Sequence, residues 1–152
     1  MKKEKRIWIA LFLALTLMVI LSGCSGLPKT AKINITIEPN PVPYSNENDW
    51  WPFDIVLDES NGVGVTLSSF RFDEYNQEEQ LSDTTIFYEE DIIYWFGSNY
   101  LPAFSSLQIQ ADFGYYIAPG EEFTKYSLLT IEGIDDNNNP VEATGRIDYL
   151  PQ

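Results

Sequence analysis

The feature that most constrains this chain is a two-residue alternation of apolar side chains. Trp51, Phe53, Ile55 and Leu57 fall on one face, with Asp54 and Asp58 opposite. After a Ser60-Asn61-Gly62 turn signal, Val63, Val65 and Leu67 continue the pattern. Side chains on a strand alternate between the two faces of its sheet, so this period reads as strands with one side on a core. Beyond Leu67 the phase shifts, and Phe70 and Phe72 become the apolar positions. A period of two cannot skip a place without an extra residue, so a β-bulge is expected near Ser68 and Ser69. Residues 50–75 thus read as one long hairpin.

The same period recurs on either side. Ile33, Ile35 and Ile37 alternate with polar residues, and Pro39, Pro41 and Pro43 then end the run, because proline cannot donate to a sheet ladder. Residues 76–83 read as loop and 84–88 as a short strand. Glu89, Glu90 and Asp91 then open a stretch that Gly97 closes. Acids suit the positive end of a helix dipole and glycine suits its C-terminal cap, so two helical turns are expected there. Leu107, Ile109, Ala111 and Phe113 alternate again, and Pro119-Gly120 is a turn signal. Residues 123–134 and 141–149 read as strands joined by the turn chemistry of Asp135-Asp136-Asn137-Asn138-Asn139-Pro140. The expected fold is all-β: an antiparallel two-sheet sandwich of about seven strands with one short helical insertion. A closed barrel would satisfy the same pattern. No internal repeat or low-complexity tract interrupts it.

The run from Trp51 through Leu67, the segment Phe96-Gly97-Ser98-Asn99-Tyr100-Leu101-Pro102-Ala103 and the hairpin over 131–145 resemble bacterial secreted immunoglobulin-like or fibronectin-like modules. The likeness covers most of residues 32–149. It implies an immunoglobulin-like sandwich and a habit of adhesion or scaffolding, and it implies no catalytic residue. The Cys…Trp…Cys pattern of antibody domains is absent.

The first 24 residues have another character. Lys2, Lys3, Lys5 and Arg6 precede an uncharged run from Ile7 to Leu21, followed by Ser22, Gly23 and Cys24. This basic, apolar, small-residue layout is a secretory signal and takes no part in the fold. The run is about 15 residues, whereas a membrane-spanning helix needs about 20. Leu21-Ser22-Gly23-Cys24 resembles the lipobox of bacterial lipoproteins. The resemblance implies cleavage between Gly23 and Cys24, a diacylglyceryl group (acyl chains such as palmitate) on the Cys24 sulfur and, in many such proteins, a third chain on the new amino terminus. An ordinary signal peptide and an uncleaved anchor are the alternatives. The expected organisation is a signal peptide over 1–23, a lipidated cysteine and tether over 24–31, and the sandwich over 32–152. One acyl chain holds a protein weakly and two hold it stably, at ~0.8 kcal/mol per buried CH₂. The expected location is the cell membrane or outer membrane, facing away from the cytoplasm. Ser25, rather than aspartate, after the cysteine favours the outer membrane where there are two.

Charge narrows the partners. Residues 1–23 hold four of the nine Lys and Arg and one of the 23 Asp and Glu, so the 129 residues that follow carry a net charge near −17. Nucleic acid is an unsuitable partner, since binding it relies on Lys and Arg at the phosphates. The same charge repels anionic lipid, so the body is expected to stand off the bilayer. Histidine is absent and Cys24 is the one cysteine. That removes the Ser-His-Asp and Cys-His arrangements and histidine-ligated zinc. With no disulfide available, stability must come from a core rich in aromatic rings. Acids are too abundant for a glycosidase-like carboxylate pair to be picked out by proximity. No enzyme activity is expected.

Two candidate sites remain. Asp135-x-Asn137-x-Asn139 copies the first three ligand positions of a calcium loop, but Pro140 stands where that loop needs glycine and Arg146 where it needs glutamate. An ordinary hairpin turn explains the same residues and requires no cofactor; the alternative is a calcium site of another kind that draws on Glu132 or Asp136, which would make the chain a calcium-stabilised adhesion module. Tyr94, Trp95 and Tyr100 lie in the insertion at 89–103. If exposed, they form a ligand surface for an envelope protein or a glycan; if buried, they belong to the core.

Overall fold

The computed structural model describes residues 29–45, 51–109 and 124–151. Eight strands form two sheets: β1 (Ile33–Glu38), β2 (Asp54–Glu59), β3 (Val65–Tyr75), β4 (Leu81–Tyr88), β5 (Tyr100–Leu101), β6 (Ser106–Ile109), β7 (Tyr126–Asp135) and β8 (Pro140–Asp148). One sheet has the order β1-β2-β6; the other has the order β4-β3-β7-β8, with β5 added to the start of β3. All these pairings are antiparallel. The helix α1 (Glu89–Phe96) joins β4 to β5. The described residues are therefore an all-β two-sheet sandwich with one short helix.

The alternating faces meet in the middle. Ile55 and Leu57 of β2 are buried, as are Val65, Leu67, Phe70 and Phe72 of β3, Leu129 and Ile131 of β7, and Val141 and Ile147 of β8. Burying such side chains stabilises the fold by ~1.5–3 kcal/mol each. Trp51 is fully buried, its indole N–H donating to the Leu150 carbonyl at 2.7 Å. The expected bulge is present: the β3–β7 register slips between Leu67 and Ser69. The slip keeps Leu67 and Phe70 on the same inner face although they are three residues apart.

The expected hairpin over 50–75 is not formed. β2 and β3 belong to different sheets, so residues 60–64 carry the chain across the core rather than back along a neighbour. Alternation alone does not separate two strands paired side by side from two strands facing each other. Both bury every second residue. The true hairpins are β3–β4 and β7–β8. β4 begins at Leu81, three residues earlier than expected, and pairs with Tyr75 through a register shift. Helix α1 matches its expected span. The Asp91 carboxylate accepts the Tyr88 N–H at 3.1 Å, and Gly97 closes the helix at φ 73°, its N–H donating to the Ile93 carbonyl. The alternation at Ala111 and Phe113 and the Pro119-Gly120 turn lie outside the described residues.

Candidate functional site

Two strands end in an acid at the same end of the sandwich, and these acids organise the loops there. Glu59 closes β2 and Asp135 closes β7. Both are buried. The Glu59 carboxylate accepts the N–H groups of Asn61, Gly62 and Val63 at 2.8, 2.7 and 3.3 Å. Those donors sit two, three and four residues downstream, so the acid caps its own crossover loop. It also accepts the N–H groups of Phe104 at 3.0 Å and Lys32 at 3.1 Å. Asp135 does the same for the β7–β8 turn, accepting the N–H groups of Asn137 and Asn139 at 2.9 and 2.8 Å. Its other oxygen takes the Ala31 N–H at 3.1 Å.

The two acids thus bind consecutive amides of the segment that enters the body. The loops hold that segment's carbonyls as well. The side-chain amides of Asn137 and Asn61 donate to the Lys29 and Thr30 carbonyls at 2.7 and 2.6 Å. The Ser60 N–H donates to the Lys32 carbonyl at 3.0 Å. Residues 29–32 are therefore clamped between two loops that are far apart in sequence.

The clamp sets its own ionisation. Burial alone would raise the Glu59 pKa, but the N–H groups of Phe104, Lys32, Asn61 and Gly62 outweigh it and hold the carboxyl at about 2, against an ordinary 4.5. At Asp135 burial again pushes upward. The backbone and side-chain N–H groups of Asn139, with those of Ala31 and Asn137, bring the pKa below the ordinary range.

This geometry gives the calcium-like residues a different occupation. Asp135 and Asn139 do come together, but as acceptor and donor: the Asn139 amide nitrogen points at the carboxylate at 3.1–3.2 Å. Asn137 turns its amide to Lys29. Among the described residues, no group of three or more His, Cys, Asp or Glu is arranged to hold a metal. The spacing that resembles a calcium loop also produces an acid wrapped by its own downstream amides.

The three aromatic candidates stand in three settings. Tyr94 is 85% exposed. Trp95 is half-buried, its ring edge-on to Phe87 at 4.4 Å, next to the Phe72–Phe87 pair. Tyr100 donates its hydroxyl to Asp136 at 3.0 Å, which raises its pKa. Other apolar side chains are exposed too: Ile93 of α1, Ile86 and Tyr88 toward the α1 end of β4, and Leu81 at the far end of that strand. β4 is the last strand in its sheet among the described residues. Elsewhere an open groove of about 460 Å³ runs over the outer face beside the bulge, lined by Ser68, Glu132, Ile134, Pro140 and Glu142 among others. Glu132 and Glu142 are direct cross-strand neighbours in it.

No family model and no curated protein matches the chain. Two solved structures are similar in outline. One, the Northeast Structural Genomics Consortium target SoR45, shows 11% identity and a TM-score of 0.43 over 78% of this chain and 86% of its own. The other, the candidate ApaA protein of Bordetella pertussis, shows 14% identity and a TM-score of 0.37 over 82% of this chain and 98% of its own.

Proposed function

We propose that the chain is a bacterial lipoprotein: a sandwich of the immunoglobulin-like type, held by acyl chains on Cys24 outside the cytoplasm, that binds or scaffolds an envelope partner without chemistry of its own. The observation that carries the reading is the sequence Leu21-Ser22-Gly23-Cys24 set five residues before Lys29, where the clamp takes hold of the chain. Among the described residues no helix is long and apolar enough to cross a membrane. The absence of histidine favours binding over catalysis. The partner surface is α1 and the adjoining end of β4, where Ile86, Tyr88, Ile93 and Tyr94 lie open to solvent. Exposed apolar residues on a strand that is last in its sheet among the described residues, and on the helix that follows it, are a common form of recognition surface. The exposure of Tyr88 and Tyr94 favours a glycan as the alternative partner, since a sugar face stacks on an open ring.

Fractionation of cells expressing the full chain tests the anchor. The wild type is expected in the membrane fraction and the Cys24→Ser variant among soluble proteins. Equal partition of the two would defeat the proposal.

A further inference from the structure

We infer that the clamp end of the sandwich faces the bilayer, and that Phe104 is the side chain that meets the phospholipid headgroups. The inference deepens the lipid-anchor reading and rests on it. Lys29 follows Cys24 by five residues, a span of at most about 18 Å. The clamp does not let this lead lengthen, because both Lys29 and Thr30 carbonyls and both Ala31 and Lys32 amides are already bonded to the loops. The eleven residues of β3 run from the clamp to the far turn, roughly 35 Å at ~3.3 Å per residue. That turn lies beyond the reach of the tether.

The clamp end also presents exposed apolar and cationic side chains. Phe104 lies at the clamp end and is 72% exposed. Its φ of 54° is in the left-handed region, costly for a residue with a Cβ. Glu59 holds it there through the Phe104 N–H, with one part of the ring against Gly62. Tyr100 and Ile134 are exposed nearby, both cross-strand neighbours of Thr66. Lys29 and Lys32 are exposed at this end, two of the five Lys and Arg that follow residue 23. The charges of Glu59 and Asp135 are directed at backbone amides. Asp58 and Asp136 stand at this end as well, and the opposite end carries Glu38, Asp54, Glu78, Glu79 and Asp83 together with Lys125, which pairs with Glu79. The repulsion that led to the expectation of a body standing off the bilayer is short-ranged, fading over ~8 Å at physiological salt, and the clamped tether brings the clamp end closer than that expectation allowed. With acids at both ends the repulsion favours neither of them, so the clamped tether decides which end lies nearest the bilayer.

The test uses the lipidated full chain in vesicles of phosphatidylethanolamine and phosphatidylglycerol that carry a headgroup nitroxide. Because Cys24 is acylated, a fluorophore can be placed on a single new cysteine, Ala103→Cys or Glu78→Cys, both at exposed positions. Flotation reports the anchor and quenching reports the orientation. The expected result is flotation of both variants, with the probe at 103 quenched at least threefold more than the probe at 78. Adding Phe104→Asn, which tolerates the left-handed backbone, is expected to halve the quenching at 103 and leave flotation and melting unchanged. Flotation with equal quenching at the two positions would overturn the orientation and leave the anchor standing. Quenching at 103 that ignores Phe104→Asn would overturn the role of that ring. Failure to float would overturn the anchor and the inference with it.

Discussion

Replacing Glu59 by glutamine keeps the side chain's shape and removes its charge. One oxygen of the carboxylate accepts the Lys32 and Asn61 N–H groups; the other accepts those of Gly62, Val63 and Phe104. Whichever way the glutamine amide turns, its NH₂ faces at least two backbone donors that cannot be satisfied. Each buried donor left unpaired costs ~1–3 kcal/mol, giving roughly 2–6 kcal/mol. The titration gives a second route. A carboxyl held at about 2 rather than 4.5 corresponds to roughly 3 kcal/mol at ~1.36 kcal/mol per pH unit, or ~2–3 kcal/mol after allowing for solvent screening at the loop mouth. The two routes overlap near 3 kcal/mol. Urea unfolding of the chain from residue 24 onward, carrying Cys24→Ser and followed through Trp fluorescence, is expected to show that loss at pH 7. Because the folded-state pKa is depressed, the stabilisation is complete above pH 4.5 and fades as pH falls toward 2. The gap between wild type and Glu59→Gln should close over that window. A loss under about 1 kcal/mol at pH 7, or a gap that does not change with pH, would refute the clamp as a stabilising device.

Other consequences follow from the same geometry. Asp135→Ala frees the Ala31 amide and the β7–β8 turn, so trypsin should cut after Lys29 or Lys32 faster than in the wild type under native conditions. Gly62 sits at φ 82°, and a Cβ there would lie 2.4 Å from the Phe104 ring. Gly62→Ala is therefore expected to cost ~1–2 kcal/mol for the backbone alone and more for the clash, with Phe104→Ala recovering part of it in a double-mutant cycle. Trp95→Ala should cost about 3 kcal/mol, the low end for a large aromatic, because its ring packs on Phe87. Tyr94→Ala, next to it but open to solvent, should stay within ~0.5 kcal/mol, and both are read by the same urea titration.

Much of the fold was legible because burial imposes a period. The faces of Ile33, Ile55, Leu57, Val65 and Leu67 were visible as alternation, and the slip at Ser68 and Ser69 as a break in it. The acids before Ile92 and the glycine after Phe96 marked α1, since those residue types satisfy helix ends. Pairing was not legible. Whether β2 returns beside β3 or faces it depends on contacts between residues far apart in the chain, and the local pattern is the same in both cases. The clamp was half legible. Asp135-x-Asn137-x-Asn139 stood out, but carboxylate and amide oxygens spaced for a cation are also spaced for backbone amides. In the folded chain the Asp135 oxygens accept the backbone N–H groups of Asn137, Asn139 and Ala31, and the Asn139 NH₂ turns toward them as well. Glu59 left a fainter signal of the same kind, an acid at a strand end just before Asn61-Gly62. Tyr94, Trp95 and Tyr100 could not be sorted by sequence. Neighbouring positions on a short helix and strand differ in exposure, and the ring that covers Trp95 comes from β4.

Placement of the protein outside the cytoplasm depends most on residue 24. Intact mass spectrometry of the protein extracted from bacterial membranes addresses it directly. The expected species begins at Cys24, lacks residues 1–23 and carries the added mass of diacylglycerol on its sulfur, with or without a third acyl chain on the amino group. A chain that retains Met1 and an unmodified Cys24 thiol would contradict the account.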